Sequence, residues 1–310
     1  MWCHVKPNRQ HNPQNCHAMS LSMLSYDMLV LLLDVCAALD IFQLANVNTF
    51  FKALTRPKRK QIKEVINKLK KHTTENPLHL PRFSAYGRGF GEEGMNALSK
   101  GFMGKLEVLL LATMDDAAAN AFPAVITSGV LRNLKDLTIT NNKFCVPFVE
   151  ALSNAIAKVG MVNLTTLSLS NNHLGDAGMT TFTSAIASGG LPNLQHLSLD
   201  RNNIGNDGMV SLVSVMMMLE KLTFLYLRQN VIGDVGMEAF ASSISNGYLP
   251  KLTKLNFGCN RICTQGMTAF ATSISVFNGL PSLKTVFFYG NPGDVREVVL
   301  ALKKTRGVCL

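Results

Sequence analysis

One phrase returns along this chain at a nearly fixed interval, and that return constrains the fold more than any other feature. Its clearest copy is Leu164-Thr-Thr-Leu167-Ser-Leu169-Ser-Asn-Asn172-His-Leu174-Gly-Asp-Ala-Gly178-Met179. Related phrases start at Leu134, Leu194, Leu222, Leu252 and Leu283, so successive starts from Leu134 lie 30, 30, 28, 30 and 31 residues apart. Fainter copies start at Leu106 and at Leu80, the latter keeping the tail as Phe90-Gly91-Glu-Glu-Gly94-Met95. Eight copies thus run from about residue 80 to residue 310. A unit this short cannot enclose a core alone. It must bury its apolar face against the next copy, which produces a one-dimensional stack.

Each part of the phrase has a physical role. Leu-x-x-Leu-x-Leu alternates apolar and polar positions, so it predicts a short strand with Leu167 and Leu169 pointing into one core. The asparagine that follows (Asn142, Asn172, Asn202, Asn230, Asn260, Asn291) stands where the chain bends inward. Its amide can donate to and accept from backbone groups of its own coil and the next, which a buried bend would otherwise strand. Arg88 and Met114 hold this place in the first two copies, which predicts less regular coils there. In Gly-Asp-x-Gly-Met the acid suits a helix start and the glycine permits close packing. A helix then buries Met179, Phe182 and Ile186, with Met237, Phe240, Ile244 and Met267, Phe270, Ile274 in matching places. Strands ~4.8 Å apart backed by helices about twice as wide must curve, with the strands inside.

The phrase resembles the ribonuclease-inhibitor class of leucine-rich repeats over roughly three quarters of the chain. The resemblance implies an α/β solenoid with a curved parallel β-sheet inside and helices outside, and a role in binding protein. That class includes inhibitors, receptors of the NOD-like type and activators of the Ran GTPase, so it names no single function.

The formal charge of +10 at first points to an anionic partner such as nucleic acid. Nine Lys/Arg against Glu64 between Lys52 and Lys71 account for +8 of it, leaving the rest nearly neutral. A groove that follows phosphates should carry charge along its length, so nucleic acid is disfavoured as partner. The seven cysteines are odd in number in a long chain, which reads as reduced thiols in the cytoplasm or nucleus rather than a disulfide framework. The apolar run from Met28 is broken by Asp34 and Asp40 and falls short of the ~20 residues a bilayer span needs. It also lies too far in for a signal peptide. No membrane association is expected.

Ahead of the repeats (79–310) the chain divides into a polar tail (1–22), an apolar segment (23–56) and a basic stretch (57–78). The tail, expected to be disordered, holds Cys3, His4, His11, Cys16 and His17, whose spacing matches no zinc knuckle or finger. In the apolar segment Ser25 and Asp40 each precede a short apolar run as helix caps do. It resembles an F-box. Leu24, Asp27, Met28, Leu32 and Leu33 take the first part of that pattern, and Asp40, Ile41, Leu44, Val47 and Phe51 the second. Ser25 stands where the family has proline and Asn48 where it has cysteine. The resemblance implies a small all-α segment that docks on the adaptor of a cullin-based ubiquitin ligase through Leu24, Met28, Leu32, Leu33, Leu44, Val47 and Phe51. The other reading is a helical cap over the first repeat's open core. The stretch 57–72 reads as a basic amphipathic helix with Ile62, Val65, Ile66 and Leu69 in its stripe. Its Pro57-Lys-Arg-Lys60 run suits nuclear import, an acidic surface or a solvated helix face.

No Walker loop, strand-following Gly-x-Gly-x-x-Gly, His-Glu-x-x-His or Gly-x-Ser-x-Gly is present, so neither enzyme chemistry nor a cofactor is expected. Cys259 and Cys263 lie near one turn without a matching histidine. Binding is therefore expected on the concave strand face, where the residues between the inward leucines point. Mid-array these are small and hydroxylated (Thr166, Ser168, Ser170). Toward the C-terminus they become His196, Asp200, Phe224, Tyr226, Arg228, Lys254, Phe287 and Tyr289, and the aromatic residues and arginine among them are the types that dominate binding energy at interfaces. The competing reading packs these rings on one another or under a final helix from Asp294 to Lys304. The function expected is a substrate receptor that brings a protein target to the ligase. A stand-alone scaffold, inhibitor or small-GTPase regulator is the alternative.

Overall fold

The structure, a computed structural model, describes the backbone of 82–86, residues Met95 and Ser99, and 106–306 except 115 and 143–145. These lie within one compact unit, Glu75–Leu310. The tail, the F-box-like segment and the basic stretch fall outside the described residues.

Strands and helices alternate: β1 (Arg82–Tyr86), β2 (Val108–Ala112), α1 (Asp116–Thr127), β3 (Asp136–Thr140), α2 (Val146–Val159), β4 (Thr166–Ser168), α3 (Gly175–Ala187), β5 (His196–Ser198), α4 (Asn206–Val213), β6 (Phe224–Tyr226), α5 (Asp234–Ser245), β7 (Lys254–Asn256), α6 (Thr264–Ser275), β8 (Thr285–Phe287), α7 (Arg296–Arg306). The eight strands form one parallel sheet in chain order. Every pairing matches like phrase positions: Leu137 faces Leu167, then Leu197, Leu225, Leu255 and Val286. The faint copies obey the same register, Arg82 opposite Val108 and Val108 opposite Asp136. The inward leucines and the Met, Phe and Ile of α3, α5 and α6 are buried together. In the 28-residue coil the helix α4 is cut short and closes through a 3-10 turn at Met216–Met218.

Two ladders tie neighbouring coils. In the first, the asparagine amide reaches its own coil and the preceding one, not the following one. Asn172 Nδ2 donates to Ile139 O at 2.7 Å and to Leu169 O at 2.8 Å, and its Oδ1 accepts from Asn142 N at 3.0 Å. Asn202, Asn230, Asn260 and Asn291 repeat the pattern. Just before this asparagine the backbone is left-handed at Asn141, Asn171, Arg201, Gln229, Cys259 and Gly290.

The second ladder adds a role for the acid of Gly-Asp-x-Gly, which stands in the first turn of its own helix as expected. It does not cap its own helix. α3, α4, α5 and α6 lack a side-chain cap at their own N-cap residue. Instead Asp176 Oδ1 accepts from Gly205 N at 2.6 Å and Gly208 N at 2.9 Å, at the start of the next helix. Asn206 does the same for Gly233 and Gly236, and Asp234 for Cys263 and Gly266. This explains the glycine. A Cβ on Gly266 would stand 2.7 Å from Asp234 Oδ1 and 3.1 Å from Met237 Cβ. Gly266→Ala is expected to lower stability by about 1–3 kcal/mol through that clash. With Asp234→Ala in the same chain the loss should be smaller than the sum of the two singles, because the carboxylate that obstructs the methyl is gone. Urea denaturation of the three variants measures this, and strict additivity would show that the pair does not meet.

Candidate target-binding face

The face of the sheet turned away from the helices carries three rows of side chains. Register aligns His196, Phe224, Lys254 and Thr285 in one row, and Ser198, Tyr226, Asn256 and Phe287 in the next. The third row, Asp200, Arg228, Gly258 and Tyr289, continues the ladder: Arg201 N donates to Arg228 O at 2.9 Å, Gln229 N to Gly258 O at 2.9 Å and Cys259 N to Tyr289 O at 2.7 Å. The eight residues singled out from the sequence therefore gather on one face across β5 to β8. None lies in the core, because each is next to an inward apolar position of its phrase and points to the other face.

The rings also pack on one another, as the competing reading held. His196 and Phe224 have centroids 4.2 Å apart, and Phe287 meets Tyr289 edge-on at 6.3 Å. Lys254 Nζ stands 5.1 Å from the Phe224 centroid on the adjacent strand. Arg228 Cζ lies 5.6 Å from the Tyr289 centroid although a strand intervenes. Gly258 makes that reach possible. The Tyr289 ring occupies the place of its missing side chain, and a Cβ there would come within 2.8 Å of Tyr289 Cζ. Such cation–ring contacts contribute about 0.5–1 kcal/mol each where exposed. The final helix α7 begins at Arg296, two residues beyond the expected Asp294, and does not cover the last rings: Phe287 is 37% and Tyr289 51% exposed.

Charge on this face is held in place. Asp200 Oδ1 accepts the backbone N–H of Arg228 at 2.7 Å. Burial raises the Asp200 carboxyl above its usual range, and that hydrogen bond with the Arg228 and Arg201 charges opposes the rise. Burial lowers His196, with Asp136 opposing, which favours its neutral form. Burial, then the nearby Asp200, raises the Tyr226 phenol. Arg228 Nε is buried with no hydrogen-bond partner. In mid-array the face is different: Ser170 Oγ lies 2.8 Å from Ser198 Oγ and 3.2 Å from Ser168 Oγ, hydroxyls satisfying one another.

The sequence reading missed how charge is sorted across the stack. Lys221, Lys251 and Lys284 precede β6, β7 and β8 and are exposed beside Lys254; Arg201 is exposed on the opposite rim. Asp207 and Asp234 sit instead at helix starts. Summing charge along the chain cancelled the two sets. Sorting it by phrase position would have separated them. Among the described residues no group of three or more His, Cys, Asp or Glu could hold a metal ion, and Cys259 and Cys263 are free thiols. The adaptor-binding candidates Leu24, Met28, Leu32, Leu33, Leu44, Val47 and Phe51 lie outside the described residues.

The family described as Leucine Rich repeat matches the chain at residues 160–182, 190–213, 219–241 and 248–271, the four coils that carry β4 to β7 and their helices. The stack is a leucine-rich-repeat solenoid, an architecture that serves as a protein-interaction module. No curated protein matches the chain. Solved structures similar to it include a protein from Bacteroides fragilis, at 15% identity over 79% of this chain and 73% of that one, TM-score 0.43. A chain of the Rad7 and Elc1 complex in yeast is 14% identical over 91% of this chain and 72% of that one, TM-score 0.43. Internalin C2 from Listeria monocytogenes is 23% identical over 70% and 75%, TM-score 0.35. Likeness at this level bears on neither partner nor activity.

Proposed function

We propose that this chain is a substrate receptor of a cullin-based ubiquitin ligase, holding a protein target on the sheet face of β5 to β8. The observation that carries the target site is the gathering of Phe224, Tyr226, Arg228, Phe287 and Tyr289 on the sheet face turned away from the helices, with Phe287 and Tyr289 exposed and the others half-buried. Aromatic side chains and arginine supply most of the binding energy at protein interfaces. The F-box-like residues between Leu24 and Phe51 support the ligase link. Chemistry would then belong to the partners, in the cytoplasm or, with Pro57–Lys60 acting as an import signal, in the nucleus.

Affinity purification followed by mass spectrometry tests both halves. A ligase adaptor should be retrieved, and Leu32→Asp or Leu44→Asp should abolish its retrieval while circular dichroism shows the repeats folded. With the purified target, Tyr226→Ala and Arg228→Ala should each weaken binding by about 1–3 kcal/mol, and Thr166→Ala and Ser168→Ala by much less. Equal losses across all four would move the site to mid-array. A wild-type chain that retrieves no adaptor would leave the scaffold, inhibitor or small-GTPase regulator, with the N-terminal segment as a cap.

A further inference from the structure

We infer that the segment recognised on this face is an extended, acidic stretch of polypeptide, with two carboxylates bracketing an apolar residue. The inference rests on the proposed target site and adds the chemistry of its occupant.

The argument starts from unpaired charge. Arg228 and Lys254 stand on the face and neither forms an ion pair, although the Arg228 charge acts on Asp200; the two ion pairs found among the described residues are Lys135–Glu107 at 3.0 Å and Arg296–Asp294. Asp200, the one acid in the three rows across β5 to β8, is turned to a backbone N–H and does not pair with the guanidinium. Lys221, Lys251 and Lys284 on the strand-entry rim and Arg201 on the exit rim add to the same sign, against Glu220 alone. The early coils differ, because Lys135 there is neutralised by Glu107. A positive surface on the coils that bear the aromatic cluster calls for a negative partner at that place.

Geometry adds a spacing. Lys254 is in the first row and Arg228 in the third, on adjacent strands. At ~3.3 Å per residue and ~4.8 Å between strands their backbones are about 14 Å apart. Tyr226, Asn256 and Phe287 fill the row between them. An extended peptide covers about 13 Å in four residues, so carboxylates at i and i+4 would meet the two cations while the residue at i+2 lies on the rings. The arrangement favours polypeptide over single-stranded nucleic acid, which needs open ring faces on which bases can stack. Phe224 is flanked by His196 and Lys254, and Tyr289 by Arg228.

The test is fluorescence anisotropy on the full chain with a short fluorescein-labelled peptide of Ser and Thr carrying Glu at i and i+4 around a central Leu. Its probes for comparison are the same peptide with Gln for both Glu, and oligothymidylate. The Glu peptide should bind, lose affinity as salt is raised, and bind about fivefold to tenfold more weakly to Lys254→Gln. Lys135→Gln, in the neutralised coils, should bind it as the wild type does. Failure of the Glu peptide to bind, or equal binding of the Gln peptide, overturns the inference. Tighter binding of oligothymidylate overturns it in favour of nucleic acid. A purified target that responds to Tyr226→Ala but not to Lys254→Gln or salt would also overturn it and leave the target site standing. A target indifferent to Tyr226→Ala would remove the site itself.

Discussion

Phe257→Ala is expected to lower the stability of the repeat stack by about 3–5 kcal/mol, the range for removing a fully buried aromatic side chain. Phe257 directly follows β7, at the phrase position where other coils place Leu169, Leu199 and Leu227, and it is completely buried. Its ring meets Phe240 of α5 edge-on at 5.3 Å and stacks on Phe288 at 5.9 Å. Phe270 of α6 closes the group, 6.3 Å from Phe240 and 5.2 Å from Phe288. Removing the Phe257 ring strips contacts from two others, Phe240 and Phe288. Phe257→Leu restores the side chain used elsewhere in the array and should cost only about 1–1.5 kcal/mol. Urea denaturation followed by circular dichroism separates the two. A leucine variant as unstable as the alanine one would show that the rings act through specific contacts rather than filled volume. Because each coil leans only on its neighbours, the damage should centre on the coils bearing the aromatic face and weaken target binding as well.

Asn230→Ala is expected to lower stability by about 3 kcal/mol. Asn230 Oδ1 accepts from Asn202 N and Ile204 N, both at 3.0 Å, and Nδ2 donates to Leu199 O and Leu227 O, both at 3.0 Å. The substitution leaves four main-chain groups of a buried bend without that amide, and each buried unsatisfied group costs about 1–3 kcal/mol before any rearrangement or water entry. Asn230→Asp has the same shape. It keeps the acceptor but sets a carboxylate oxygen against two carbonyls, so it should be at least as damaging at neutral pH. An aspartate variant of wild-type stability would mean that the donated bonds are dispensable.

The fold was readable because a solenoid prints its geometry in the interval of its sequence. The phrase starts locate strands β1 to β8, and Met179, Phe182 and Ile186 announce the buried helix face. Bonds between coils were expected of the asparagine, but toward the next coil and not the preceding one, and those of the acid escaped. A linear reading assigns Asp176 to the helix it begins, yet its carboxylate serves Gly205 and Gly208 of the next coil. The concave residues were legible from alternation alone. Their mutual packing was not: Arg228 reaches Tyr289 only because Gly258 between them has no side chain, a relation that spans two coils.

The two ladders run in opposite directions, and this gives assembly an arrow. Asp176 serves the coil after it, whereas Asn202 serves the coil before it. On a chain emerging N-terminus first from a ribosome, a new helix start finds its acceptor already in place. Its newly formed bend has to wait for an asparagine about thirty residues downstream, such as the 28 residues separating Asn202 from Asn230. At the starts of α4, α5 and α6 the growing tip is therefore supplied on its helix side while its bend side is still open. A ribosome stalled inside the array would hold a product whose last bend is its point of attack for chaperones and proteases.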